Sequence, residues 1–251
     1  MILAKATWNE VEALDREQVV IVPVGGIEAG GASLPLGTRT FFVEEVATRV
    51  EERYSREVVL APTLPFGVAG AGAAYAGNVD LGHEAFLATI RSLVLSLARH
   101  RFRRFLFLWG GGFSETHSAL NLGMRSLKDL QKTLSLAVHT VEPLHAGRAA
   151  HQLAAIRPDL VRPAAGPTRC EIEFDKGIED GFATVIYLNN LRHNIYADAD
   201  EVGEDPTAVE SVPDPEFGRM VFEQQTEHVA TLVNVMLGGV VYVRSGPNSN
   251  H

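Results

Sequence analysis

The sequence predicts a single α/β domain in which a mostly parallel β-sheet is flanked by helices on both faces. Short runs rich in valine, leucine and phenylalanine, typical of strands buried on both faces, alternate with longer segments of helical apolar spacing. Glycine or proline closes each of the short runs. A strand–helix order repeated in this way is typical of a parallel sheet with right-handed crossovers.

The elements can be predicted in chain order. Thr7 and Glu10 have the spacing of a capping box, which predicts a short helix to about Asp15. Four apolar runs predict the strands, and five segments with apolar residues on one helical face predict longer helices. The strands are QVVIVPVGG, EVVLAPTLPFGV, RRFLFLWGGG and LSLAVHTVEP, and the helices are residues 40–54, 82–101, 114–131, 147–156 and 215–237.

Composition excludes several classes of protein. The net charge of −9 argues against nucleic acid as a partner, since phosphate binding needs a positive field. No apolar run approaches the roughly 20 residues of a membrane span. The single cysteine, Cys170, excludes an intrachain disulfide, indicates a cytoplasmic protein and is expected to be a buried, inert thiol. We expect residues 1–245 to form the domain, with weak periodicity over residues 163–199 and a disordered tail at 246–251.

The ligand site is expected where the predicted strands end. In open parallel sheets, ligands bind at the carboxyl ends of the strands. The segments at these ends are residues 25–39, 64–77, 109–115 and 142–148.

Several separated motifs occur in and beside these segments. VPVGGIEAGGASLPLGTR (22–39) comes first, and LPFG with YAGNVDLGHEAF, WGGGFS, HAGR and GEDP follow it. In this order they resemble the motifs of the creatininase family, the metal-dependent creatinine amidohydrolases and their relatives, whose VPVGSIEQHGPHLPLGTD-like stretch the first motif matches without a gap. The resemblance implies a creatininase-like α/β fold, ring-like homo-oligomers that are often hexamers, and hydrolysis at a paired divalent metal site.

The chain departs from the family at the metal ligands. By resemblance, Glu28 keeps the glutamate of the first motif. Gly30, Arg39, Gly111 and Arg148 stand where the family has histidine, aspartate, histidine and glutamate, and Phe113 stands where some members have a further glutamate. A paired site needs several N or O ligands for each ion. We therefore expect no metal and no cofactor.

Of the five positions that hold metal ligands by resemblance (28, 30, 39, 111 and 148), two carry an arginine and one carries a carboxylate. A guanidinium at Arg39 or Arg148 can replace the charge of a metal and form a bidentate hydrogen bond to Glu28. Such a pair either closes an abandoned site or leaves a spare guanidinium that binds the anionic group of a substrate. His145, in the HAGR motif, either transfers a proton or is satisfied by a backbone carbonyl.

Three further residues are candidates for substrate binding. Glu115 and His117 begin the helix after the third strand, where they either form a carboxylate–imidazole pair or belong to a solvated first turn. Trp109 ends the third strand and provides either a flat wall for a ring or core packing.

Three hypotheses about function follow. The first is a metal-independent creatininase-like enzyme that acts on a small anionic or cyclic amide-like metabolite by acid–base chemistry, as a hydrolase, cyclase or lyase. Glu28 and His145 would be its catalytic residues. The second is a non-catalytic homologue that serves as a structural or regulatory subunit. The third is a metal amidohydrolase with altered ligands such as His117, His145 or Glu171.

Overall fold

The computed structural model describes residues 1–30, 34–69, 75–111, 114–130, 132–141, 148–162 and 213–238. Within them, four parallel strands form one sheet in the order β2-β1-β3-β4. This confirms the predicted α/β class with a parallel sheet. The strands are β1 (Val19–Val24), β2 (Val58–Leu60), β3 (Arg104–Trp109) and β4 (Ser135–Thr140).

The described helices lie where the apolar spacing predicts them. Thr7 and Glu10 form the expected capping box, although the first helix ends three residues before Asp15. Two short 3-10 helices, Leu3–Lys5 and Pro158–Leu160, were not predicted. The α-helices are α1 (Trp8–Glu12), α2 (Thr38–Arg53), α3 (Gly82–Arg99), α4 (Ser114–Leu130), α5 (Arg148–Ile156) and α6 (Pro215–Met236).

The sheet is covered on both faces, which explains why its central strands are apolar at every position after Arg104, the first residue of β3. Val20, Val22 and Val24 of β1 face a core that also contains Phe86 of α3 and Leu120 of α4. The alternate residues of β1 and β3 face a second core, built with helices α2, α5 and α6. The members of that core on β1 and β3 are Val19, Ile21, Leu106 and Leu108.

The chain order places a topological switch point between β1 and β3. From β1 the chain continues to β2 on one side, and β3 then pairs with the opposite side of β1. The helices that follow the two strands lie on opposite faces, α2 with the second core and α4 with the first. In open α/β sheets, connections that diverge in this way leave a ligand-binding crevice, so we expect one at the carboxyl ends of β1 and β3.

Several predictions fall outside the described residues. Residues 163–199, Cys170 and the tail at 246–251 lie there, so the single domain over residues 1–245 stays a prediction. Within the described ranges, no helix has the length and apolar character required to cross a membrane.

Candidate functional site

The loop after β1 borders the crevice, and its course is held by hydrogen bonds along its length. The hydroxyl of Thr40 accepts from the Gly26 N–H at 3.1 Å and donates to the Gly26 carbonyl at 3.0 Å. The Glu28 N–H donates to the Leu36 carbonyl at 2.9 Å, which closes the loop on itself. The Ala29 N–H donates to the side-chain oxygen of Asn78 at 2.7 Å. The loop is therefore held from α2 and from the segment before α3.

Glu28 and Arg39 are both buried beside this loop, with 6% and 8% of their surfaces exposed. A Cβ atom added at Gly26 would lie 3.0 Å from the Glu28 carboxyl carbon. One added at Gly30 would lie 3.9 Å from Nε of Arg39. Gly26 thus leaves space that the Glu28 carboxylate occupies, whereas a Cβ at Gly30 would be in ordinary contact with Arg39.

The end of β3 packs directly on the start of α2. A Cβ atom at Gly110 would lie under 3.0 Å from the Arg39 carbonyl oxygen, so only glycine fits without a backbone shift. Gly111 has a φ of +84°, a conformation in which L side chains are strained. These two glycines bring the carboxyl end of β3 against the residue that carries the buried guanidinium.

The other candidates on β3 and α4 are also brought together. Trp109 is 6% exposed and belongs to the first core, which is the packing alternative named for it above. His117 is stacked on it, with ring centroids 5.1 Å apart and an angle of 4° between the planes. The side-chain nitrogen of Asn121 lies 3.2 Å from Nε2 of His117 and donates to the His117 carbonyl at 3.0 Å. Glu115 is 7% exposed, so a solvated first turn does not describe this residue.

A buried threonine fixes the start of α4. The hydroxyl of Thr116 accepts from the Val68 N–H at 2.8 Å and donates to the Val68 carbonyl at 3.0 Å. It therefore ties the loop after β2 to the turn that carries Glu115 and His117. Sequence reasoning missed Thr116, as it missed Thr40, Asn78 and Asn121. Thr40, Asn78 and Thr116 each directly follow a predicted site loop, which was their only signal, and Asn121 lies further along α4 without one.

A chain of buried amides holds the start of the fourth site loop. The Val141 N–H donates to the Trp109 carbonyl at 2.7 Å. Gln225 of α6 donates to the Val141 carbonyl at 2.9 Å, and Gln152 of α5 donates to the Gln225 side chain at 3.1 Å. Further along this edge, burial lowers the pKa of His139 on β4, and the neighbouring His228 lowers it further.

Two candidate residues, His145 and Arg148, cannot be placed in the site. His145 and the side chain of Arg148 lie outside the described residues, so their roles stay predictions. Among the residues that the structure describes, no three histidine, cysteine, aspartate or glutamate side chains come together as metal ligands do. The donors in the described part of the crevice therefore do not fit the paired metal site that the family resemblance implies.

A parallel sheet with a glycine-lined crevice at its switch point defines an α/β protein of the class that binds ligands at the carboxyl ends of its strands. The family model for creatininase, described as creatinine amidohydrolase, matches residues 4–233. The chain therefore belongs to the creatininase family, which confirms the resemblance seen in its motifs.

Two curated relatives and one solved structure are similar to this chain. A creatinine amidohydrolase of Pseudomonas putida is 27% identical over 136 residues, which are 50% of this chain and 51% of that protein, so the match spans about half its length. A mycofactocin precursor peptide peptidase of Mycolicibacterium smegmatis (strain ATCC 700084 / mc(2)155) is 37% identical over 71 residues, 27% of this chain and 29% of that one. A crystal structure of creatinine amidohydrolase (creatininase) has a TM-score of 0.66 at 19% identity and covers 95% of this chain and 98% of that chain. At this identity, the structural likeness shows the fold alone.

Proposed function

We propose that this chain binds a small anionic or cyclic amide-like metabolite in the strand-end crevice and acts on it by acid–base chemistry, without the family's paired metal centre. One observation carries the proposal. Arg39 is buried, as is Glu28, and it stands at the position where the family's first motif has a metal-binding aspartate.

The exchange of aspartate for arginine reverses the charge of the position. A dication about 5 Å from a guanidinium would be repelled by about 6–7 kcal/mol at an effective dielectric constant of about 20. Gly30 and Gly111 supply no imidazole in place of the family's histidines. A histidine at position 111 would also be strained by the positive φ. Electrostatics and ligand chemistry thus both favour a crevice that works without paired dications.

A buried guanidinium is suited to an anionic ligand. It is always charged, and its planar array of donors matches carboxylate and phosphate oxygens. In the proposal, Arg39 and Arg148 bind the anionic group, Glu28 orients the ligand or acts as a base, and His145 transfers the proton. The names of the two curated relatives both denote hydrolysis of an amide bond, which supports an amide-like ligand.

A non-catalytic subunit is the second candidate, favoured by the same burial of Glu28 and Arg39. If the two side chains satisfy each other completely, the crevice is closed and binds nothing. With either candidate we propose ring-like self-association and a cytoplasmic location. The metal amidohydrolase with altered ligands is the third.

The metal content and ligand-induced stabilisation of the purified protein separate these candidates. Elemental analysis after purification without chelator is expected to find zinc and manganese well below one ion per chain. A panel of carboxylates, phosphates and lactams is then tested by thermal unfolding, because a ligand that binds the native state raises its apparent stability. We expect at least one anion to raise the unfolding midpoint.

The matched variants are Arg39→Gln, Arg39→Lys and Arg53→Gln. Arg53 is an exposed arginine outside the crevice, so its variant should keep the ligand response. Arg39→Gln should lose that response, and Arg39→Lys should keep part of it because the charge remains. Near-stoichiometric metal would contradict metal independence, and a panel without any stabilising anion would favour the closed subunit.

Once a ligand is found, two variants separate charge binding from proton transfer. Arg148→Ala should weaken binding, whereas His145→Ala should leave binding intact and stop turnover. If both variants keep full turnover, neither residue takes part in the mechanism.

A further inference from the structure

The indole of Trp109 is not available to a ligand, because His117 covers it. The two rings are stacked almost parallel at 5.1 Å, and Trp109 is nearly fully buried in the first core. His117 itself is half-buried. The aromatic surface that this part of the crevice can present is therefore the imidazole, with the indole beneath it.

The imidazole is held in place by Asn121. The Asn121 side-chain nitrogen faces the His117 carbonyl, which can only accept, so this nitrogen is the donor there. The same nitrogen lies 3.2 Å from Nε2 of His117, which must then accept, so the neutral ring carries its proton on Nδ1. This contact holds the ring in one orientation before any ligand arrives.

This stack and the start of α2, which carries Arg39, lie at the same edge of the sheet. Trp109 pairs in register with Val24, so both residues end their strands at the same edge of the sheet. The next residue, Gly110, packs on the backbone of Arg39. A ligand whose anionic group is held by Arg39 would extend toward the Trp109–His117 stack across this glycine.

We propose that His117 is a specificity-determining residue whose outer face stacks on a planar ring of the ligand. The inference rests on the proposed function and narrows its ligand to anions that carry a flat ring, such as an unsaturated cyclic amide. Offset stacking on a rigid ring favours a flat partner over a puckered one by roughly three- to tenfold in affinity.

The test uses Trp109 as its own reporter. The chain has two tryptophans, and Trp8 is exposed on α1, so Trp8→Phe leaves Trp109 as the sole indole. Orotate and dihydroorotate serve as probes because they share a carboxylate and cyclic amides but differ in ring planarity. Their affinities are measured by Trp109 fluorescence and by isothermal titration calorimetry.

We expect the Trp8→Phe protein to bind orotate roughly three- to tenfold more tightly than dihydroorotate. His117→Phe, which keeps a flat ring, should retain the preference, and His117→Ala should lose it. Asn121→Ala removes only the exposed side chain that orients the imidazole and should reduce the preference. This variant replaces His117→Ala in the test if His117→Ala does not fold. Arg39→Lys should weaken the binding of both probes by a similar factor.

The outcomes separate this inference from the proposed function. Arg39-dependent binding of both probes with no preference, or a preference that survives in His117→Ala, overturns the stacking role and leaves the proposed function standing. If neither probe binds and the wider anion panel fails as well, the proposed function falls and the stacking role falls with it.

Discussion

The proposed pairing of Glu28 with Arg39 can be measured by a double-mutant cycle. The perturbations are Glu28→Gln, Arg39→Met and the two together. Because both side chains are at least nine-tenths buried, each single change should leave a desolvated charge and cost about 3–5 kcal/mol of unfolding free energy. At an effective dielectric constant of about 20, two charges about 4 Å apart interact by about 4 kcal/mol, which agrees with that range.

Denaturant unfolding of the four proteins gives the coupling energy. We expect the double variant to be about 2–3 kcal/mol more stable than the sum of the single losses predicts. The control cycle is Arg53 with Glu223, an ion pair of 2.6 Å between α2 and α6 whose side chains are 37% and 49% exposed. That pair should couple by about 0.2–1 kcal/mol, because solvent screens it. Coupling at Glu28–Arg39 no greater than in the control would refute the pairing.

Three further predictions concern packing, hydrogen bonding and pH. Gly110→Ala should cost about 1–3 kcal/mol because its methyl group would meet the Arg39 carbonyl, whereas Gly30→Ala, with its nearest neighbours at 3.9 Å, should change stability by less than about 0.5 kcal/mol in the same denaturation assay. Thr116→Val should cost about 1–3 kcal/mol by leaving two buried backbone groups unpaired, and Thr116→Ser should restore most of that loss. The lowered pKa of His139 means that the unfolded chain takes up a proton more readily than the folded one. Unfolding free energy should therefore fall as pH drops below about 6.5, and unfolding curves at several pH values should show less of this fall in His139→Gln.

Much of the fold can be predicted because its two kinds of element have different sequence patterns. Strands buried on both faces are continuous apolar runs, whereas amphipathic helices have apolar residues on one face only. β1 and β3 are apolar at successive positions, and this continuity marks a sheet covered on both sides. The ends of elements are harder to predict. The helix after the second strand was predicted to reach residue 101, but it ends at Arg99 because Arg101 adopts a φ of 70°.

The sequence predicts where the site lies on the sheet, but only part of how its side chains are packed. Parallel order alone brings the loops of Glu28 and Trp109 to one edge of the sheet. The burial of Glu115 was not predictable, since a carboxylate in a first helical turn is usually solvated and its environment depends on how α4 packs. The stacking of His117 on Trp109 depends on the same packing of α4. No local sequence pattern indicates it.

The hydrogen bonds of the loop after β1 have a consequence for how this family can diversify. Thr40, Asn78 and the Leu36 carbonyl hold the main chain through its own N–H and C=O groups, and none of these contacts involves the side chains at positions 30 and 39. The side chains at positions 30 and 39 can then differ between relatives while the backbone of this loop keeps its path. A replacement of aspartate by arginine at position 39 therefore need not pass through a misfolded ancestor.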